Sequence, residues 1–243
     1  MDSSTLLIKF DSDITLSIPT SVNRQEIKYI NIENGFKIIP NSCFVGFPNL
    51  INISLPESIT TLENDALEFS SPFKYLFLPK NVQYLSPINP FDTSPIEHIE
   101  VDKLNPYFRS YEGSLYTNDM KTLIYYPRAK QSTSFTIPNT VEKIYYAALT
   151  RFIYLNKIII PESVNEIGNA FCYNCSDLIK EIIIIRHNKQ KFPKFNFTID
   201  SNFYKTNFSF ENITYQYSLE ILHSCYFGND IRNILLYLIL SFA

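Results

Sequence analysis

Cys172 and Cys175 form the one pair in the sequence whose type and spacing suggest chemistry. Two thiols three positions apart can close a redox disulfide or supply half of a zinc site, because both sulfurs reach a common point. His187 follows Cys175 by twelve residues, but no second histidine stands three to five beyond it and no second Cys-x-x-Cys occurs. Without a complete ligand set, the pair reads as small packing residues, with a thiol or metal enzyme as the alternative. His98 and Glu100 would lie side by side on one face of a strand, as an acid–base pair does. No nucleophile or orienting third group recurs near them, so they read as a surface pair. The expectation is a non-enzymatic protein with no catalytic, cofactor-binding or metal-ligating residues.

Glycine usage removes further classes. The five glycines, Gly35, Gly46, Gly113, Gly168 and Gly228, are never closer than eleven residues. A dinucleotide fingerprint, a phosphate-cradling loop and a nucleophile elbow each need glycines within two to five residues, so that the backbone can turn tightly against a ligand. None can be built here, and no small-molecule substrate is expected. A net charge of −3 gives no basic field for phosphate backbones, which sets nucleic acid aside as a partner.

The 243 residues, 45% hydrophobic and 19% charged, are enough for a substantial core. Four cysteines in such a length are too few for a disulfide scaffold. Residues 1–13 carry Asp2, Asp11 and Asp13 around a short apolar stretch, without the basic flank and long apolar run of a secretory signal, which points to the cytoplasm. The apolar run Ile234 to Phe242 would reach roughly 14 Å as a helix against a hydrocarbon layer of ~30 Å, so no transmembrane segment is expected.

What must position any functional residue is a repeat. The motif Ile/Leu-Pro-x-Ser/Thr/Asn-Val/Ile occurs at Pro19, Pro56, Pro79, Pro138 and Pro161, and the pairs Pro56/Pro79 and Pro138/Pro161 are each 23 residues apart. Counting from the proline, aliphatics recur at plus three and plus six, as in Ile59 and Leu62, Val82 and Leu85, Val141 and Ile144, or Val164 and Ile167. A large apolar residue sits at plus seventeen and aliphatics at plus twenty and plus twenty-two: Phe73, Leu76, Leu78; Ile96, Ile99, Val101; Leu155, Ile158, Ile160. The last two positions alternate with period two, the pattern of a short strand with one buried face. Proline directly after it ends the ladder. The plus-three and plus-six pair lies on a second, less regular arm. One unit cannot bury its own apolar edge, whereas stacked units share one core.

The phrases Ile160-Pro-Glu-Ser-Val-Asn-Glu-Ile-Gly-Asn-Ala-Phe-Cys-Tyr-Asn-Cys-Ser-Asp-Leu178 and Cys43-Phe-Val-Gly-Phe-Pro-Asn-Leu-Ile-Asn-Ile-Ser-Leu-Pro56 resemble the BspA-like leucine-rich repeats, which occur in surface proteins of anaerobic bacteria and parasitic protists. The segment Asn105 to Pro127 is similar to a variant unit of that family containing a β-hairpin, with Ser114 to Thr117 pairing with Thr122 to Tyr126 across Asn118 to Lys121. The expected fold is a right-handed leucine-rich-repeat solenoid with a parallel β-sheet on one face and about six to seven repeats of 23 residues. Residues 1–13 form an amino-terminal cap segment and residues 14–185 the solenoid, with an enlarged repeat at 103–134. Residues 186–243 form a divergent carboxyl-terminal cap or tail, where Asn229 to Phe242 can be a docked helix.

If Leu76 and Leu78 point inward, strand alternation turns Tyr75 and Phe77 outward, and likewise His98 and Glu100, and Lys157 and Ile159. These six are the candidate partner-binding residues. Aromatic anchors on a wetted face are typical of binding hot spots, although scattered exposed apolar residues or a folded-over tail give the same pattern. The resemblance implies a protein partner and a surface-antigen or adhesion role. The readings beside it are an intracellular interaction scaffold and an incomplete paralogue without function. Location stays divided between the cell surface, which the resemblance implies, and the cytoplasm. Five glycosylation acceptors, Asn52, Asn174, Asn196, Asn207 and Asn212, matter only for a secreted chain.

Overall fold

The computed structural model describes residues 3–68, 72–86, 90–91, 94–168, 181–185, 194–195, 207–209 and 216–217. Among the described residues every regular element is a strand. The chain winds as a β-solenoid of about seven turns. Each ordinary turn contributes a longer strand on one arm and a two-residue strand on the other.

On the first arm, β1 (Thr5–Ile8), β2 (Tyr29–Ile32) and β4 (Asn52–Ser54) form one parallel ladder. Next come β6 (Tyr75–Leu78) and β8 (His98–Val101), also parallel, with Tyr75 opposite His98 and Phe77 opposite Glu100. A third ladder runs through β12 (Ser134–Thr136), β14 (Lys157–Ile160), β16 (Glu181–Ile184) and β18 (Asn207–Ser209), with β19 (Gln216–Tyr217) antiparallel at its edge. The second arm, expected to be irregular, is itself a set of parallel ladders. One joins β3 (Ile38–Ile39), β5 (Thr61–Leu62) and β7 (Tyr84–Leu85), and another joins β13 (Lys143–Ile144), β15 (Glu166–Ile167) and β17 (Lys194–Phe195). Strand pairing therefore continues beyond residue 185, where the 23-residue phrasing of the sequence fades.

Burial follows the repeat. Leu76, Ile99 and Ile158 at plus twenty, and Leu78, Val101 and Ile160 at plus twenty-two, are all buried, as are Ile59, Leu62, Val82, Val141, Ile144, Val164 and Ile167 on the second arm. Leu85 is half-buried. A left-handed residue recurs three positions after the buried second-arm residue: Ser42 (φ 50°), Asp65 (φ 50°) and Ala147 (φ 52°) turn the coil toward its next arm.

The enlarged repeat interrupts both arms. Its expected hairpin is present as β10 (Ser114–Thr117) against β11 (Thr122–Tyr125), with a register shift between Leu115 and Tyr116. A third strand that the sequence did not announce, β9 (Phe108–Tyr111), pairs antiparallel with β10, and β11 joins β13 to continue the second arm. Asn105 anchors the entry to this unit. It is buried, and its Nδ2 donates to the carbonyls of Pro79 (3.0 Å) and Val82 (2.9 Å) while its Oδ1 accepts from the N–H groups of Tyr107 (2.8 Å) and Phe108 (2.9 Å).

The hairpin also divides the core. Leu115 and Tyr125 pack with the amino-terminal cluster, whereas Tyr116, Leu123 and Tyr126 pack with the carboxyl-terminal one. A strand buried on both faces loses the alternation of a surface strand. This is why Ser114, Leu115 and Tyr116 are buried in succession.

Candidate protein-binding face

The outward columns of the first arm are set by strand alternation. On β6 and β8 the inward residues are Leu76, Leu78, Ile99 and Val101, so Tyr75, Phe77, His98 and Glu100 emerge together on the opposite face. Tyr75 is 46% exposed and Phe77 42%. The Tyr75 and His98 rings are stacked, 5.3 Å between centroids and 5° from parallel, and the Tyr75 hydroxyl donates to the Glu100 carboxylate. Four of the six candidate residues thus form one contiguous cluster.

The other two are set apart. Lys157 and Ile159 lie on the ladder of β14, separated from β8 by the enlarged repeat, and both are half-buried rather than open. One strand further, Ile183 occupies the equivalent outward position opposite Ile159 and is only 1% exposed. The outward face is therefore wetted over β4 to β8 and covered at β16.

Two neighbours of the cluster escaped sequence reasoning. Tyr29, 41% exposed, stands in the same column as Asn52, its Cα partner, and Tyr75 lies a further 23 residues on; extending the repeat backward would have found it. Gly113 has φ +76° in the turn between β9 and β10, and a Cβ placed there would come within 2.6 Å of His98 Nδ1. The Ile99 N–H donates to the Gly113 carbonyl at 2.9 Å, so the turn fills the place of a missing next strand beside β8. Lys130 fixes the same turn, donating to the Glu112 carbonyl at 2.5 Å with its ammonium over the rings of Tyr126 (5.3 Å) and Phe135 (5.8 Å). Burial holds the Lys130 amine below its ordinary range, against the pull of Glu112.

A second concavity opens where the second arm breaks between β7 and β11. It is a groove of about 310 Å³ walled by Tyr84, Phe91, Phe108, Tyr125, Tyr145 and Tyr146. Its one ammonium, on Lys143, is paired with Glu166 at 2.7 Å. The groove exists because the enlarged unit displaces one two-residue strand, a consequence of tertiary stacking that no local spacing announces.

Thiol chemistry finds no support in the described part of the chain. Cys43 is buried, and that burial pushes its thiol up to about 12, so the reactive thiolate is not formed near neutrality. Cys172, Cys175 and His187 lie outside the described residues. Among the described residues, no three His, Cys, Asp or Glu side chains converge as a metal site requires, and no helix is long and apolar enough to cross a membrane.

Three solved structures share this architecture. The pneumococcal vaccine antigen PcpA is similar at a TM-score of 0.56 and 23% identity, over 66% of this chain and 42% of that one. A leucine rich cell surface protein of Faecalibacterium prausnitzii is similar at 0.60 and 21%, over 75% and 47%. A leucine-rich repeat protein of Eubacterium ventriosum is similar at 0.50 and 16%, over 85% and 73%. The chain spans less than half the length of the first two. At these identities the likeness establishes the fold. No curated protein matches significantly. The family pattern described as BspA type leucine rich repeat region matches in six copies across residues 8–112 and 125–236. Both the outward columns and the buried ladder positions fall within those copies, and the chain belongs to the BspA-type leucine-rich-repeat family.

Proposed function

We propose that this is a non-enzymatic protein-binding solenoid, surface-antigen-like or adhesive, that engages a protein partner through the outward face of β6 and β8. The observation that carries the reading is the exposure of Tyr75 and Phe77 on a rigid, hydrogen-bonded ladder directly above a fully buried core. Large side chains already fixed in place lose little conformational freedom on binding, so more of the contact energy appears as affinity. Two of the similar structures are a vaccine antigen and a cell surface protein, which favours display outside the cell. Lys157 and Ile159 would contribute at the margin, since both are half-buried.

The test is the double substitution Tyr75→Ala with Phe77→Ala, measured for affinity toward an identified partner. A loss of tenfold or more is expected, about 1.4 kcal/mol or above, on the scale of an aromatic anchor. Unchanged affinity would move the site elsewhere. Display is tested by an impermeant label on intact source cells: labelling without permeabilisation supports the surface role, and labelling only after it supports an intracellular scaffold.

A further inference from the structure

The face of β6 and β8 is distinguished from a plain apolar patch by its charge. At one end of the two strands Lys74 pairs with Glu97 at 2.7 Å, and at the other Lys80 pairs with Glu57 at 2.8 Å. Glu100 stands between these pairs, exposed, and among the described residues it enters no ion pair. Its carboxylate accepts the Tyr75 hydroxyl, a neutral donor that orients it and leaves its charge uncompensated. Tyr75 stacks one ring face on His98. The neighbouring strand β4 presents only the short side chains of Asn52 and Ser54 outward, which leaves Tyr75 and Phe77 open on that side.

An uncompensated carboxylate edged by open aromatic rings matches one kind of side chain. Ring faces attract a cation through their quadrupole, and the carboxylate pairs with it. A planar guanidinium does both at once, lying flat on a ring while its fork reaches the carboxylate. A neutral apolar group in the same place would bury the Glu100 charge with no opposite charge beside it, and an acidic one would be repelled. We propose, on the reading that this face is the protein-docking surface, that the partner presents an arginine side chain to it, stacked on Tyr75 or Phe77 and paired with Glu100.

The experiment uses the full chain with isotope labels, titrated separately with acetyl-arginine amide and with its neutral isostere acetyl-citrulline amide. Expected are shifts of the Tyr75, Phe77, His98 and Glu100 resonances with the arginine probe, and binding of the citrulline probe weaker by about threefold, the scale of one exposed charge pair. In Glu100→Gln, whose site is on the surface, the two probes should become equivalent. Equal response to both probes in the unsubstituted chain, or an arginine preference that survives Glu100→Gln, would overturn the arginine assignment. No response to either probe up to saturation would overturn it too. In each of those cases the docking face itself stands or falls separately, on whether Tyr75→Ala with Phe77→Ala reduces affinity for an identified partner.

Discussion

The Asn105 amide satisfies four backbone groups at the entry to the enlarged repeat, two carbonyls of the preceding turn and the N–H groups of Tyr107 and Phe108 where β9 begins. Replacing it by alanine leaves two buried carbonyls and two part-buried N–H groups without these bonds, and Asn105→Ala should cost about 2–4 kcal/mol in urea unfolding. Asn105→Asp should fail to restore this, because a carboxylate accepts but cannot donate to Pro79 and Val82. Gly113 is sensitive for a different reason. Its φ of +76° penalises any β-carbon, and His98 occupies the space that carbon would need. Gly113→Ala should therefore lower stability by about 1–2 kcal/mol and perturb the ring resonances of Tyr75 and His98. Neither role is visible in the sequence, where Asn105 is one of many asparagines and Gly113 one isolated glycine. Their importance comes from groups 23 and 15 residues away that only stacking brings near.

At the scale of the strand, periodicity was sufficient for the ordinary repeats. The alternation Lys157, Ile158, Ile159, Ile160 gives half-buried, buried, half-buried, buried, and its register opposite β12 follows from the 23-residue repeat, whereas β16 pairs one residue later, with Glu181 opposite Lys157. Ile158→Ala should cost about 2–5 kcal/mol, against near zero for Thr136→Ala at the exposed position of the paired strand opposite Ile159, both read from urea midpoints. The turn of the hairpin was equally legible. Asp119 Oδ1 accepts the Thr117 hydroxyl at 2.6 Å and the Lys121 N–H at 3.0 Å, and these bonds hold its carboxyl below the ordinary carboxylate range. Strand β9 was not legible, because Phe108-Arg-Ser-Tyr111 alternates weakly and gains its identity by pairing with β10. Strand alternation carries the direction of the outward columns but not how far they stay open to water. Alternation says which way Ile159 and Ile183 point, and only the surrounding chain decides that one is half-buried and the other closed to water.

Among the described residues two core clusters meet at the hairpin, and stacked repeats pack chiefly on their neighbours. Unfolding should accordingly be uneven. In Ile158→Ala, amide hydrogen exchange should accelerate strongly in β12 to β16 and little in β1 to β4; uniform acceleration would mean that the clusters act as one unit. Alkaline behaviour follows from the same clusters. Burial raises the Tyr126 phenol to about 12 and Tyr116 higher still, with Glu112 adding to the latter. The folded state keeps these protons when unfolded tyrosines lose theirs near pH ~10, so their contribution to stability is complete below that pH and falls as pH rises through 12. The tyrosinate absorbance of Tyr116 and Tyr126 should appear only together with loss of the strand signal in circular dichroism. The sequence by itself determined the repeat, the inward and outward columns and the hairpin, because each is a short-range pattern imposed by strand alternation and by the need of every unit to bury the same edge. The tertiary structure alone decided how Lys157 and Ile159 are set apart from the cluster of Tyr75, His98 and Glu100, and the groove at β7. Each of these depends on where the enlarged repeat inserts between turns, and a one-dimensional period carries no record of what fills the gap.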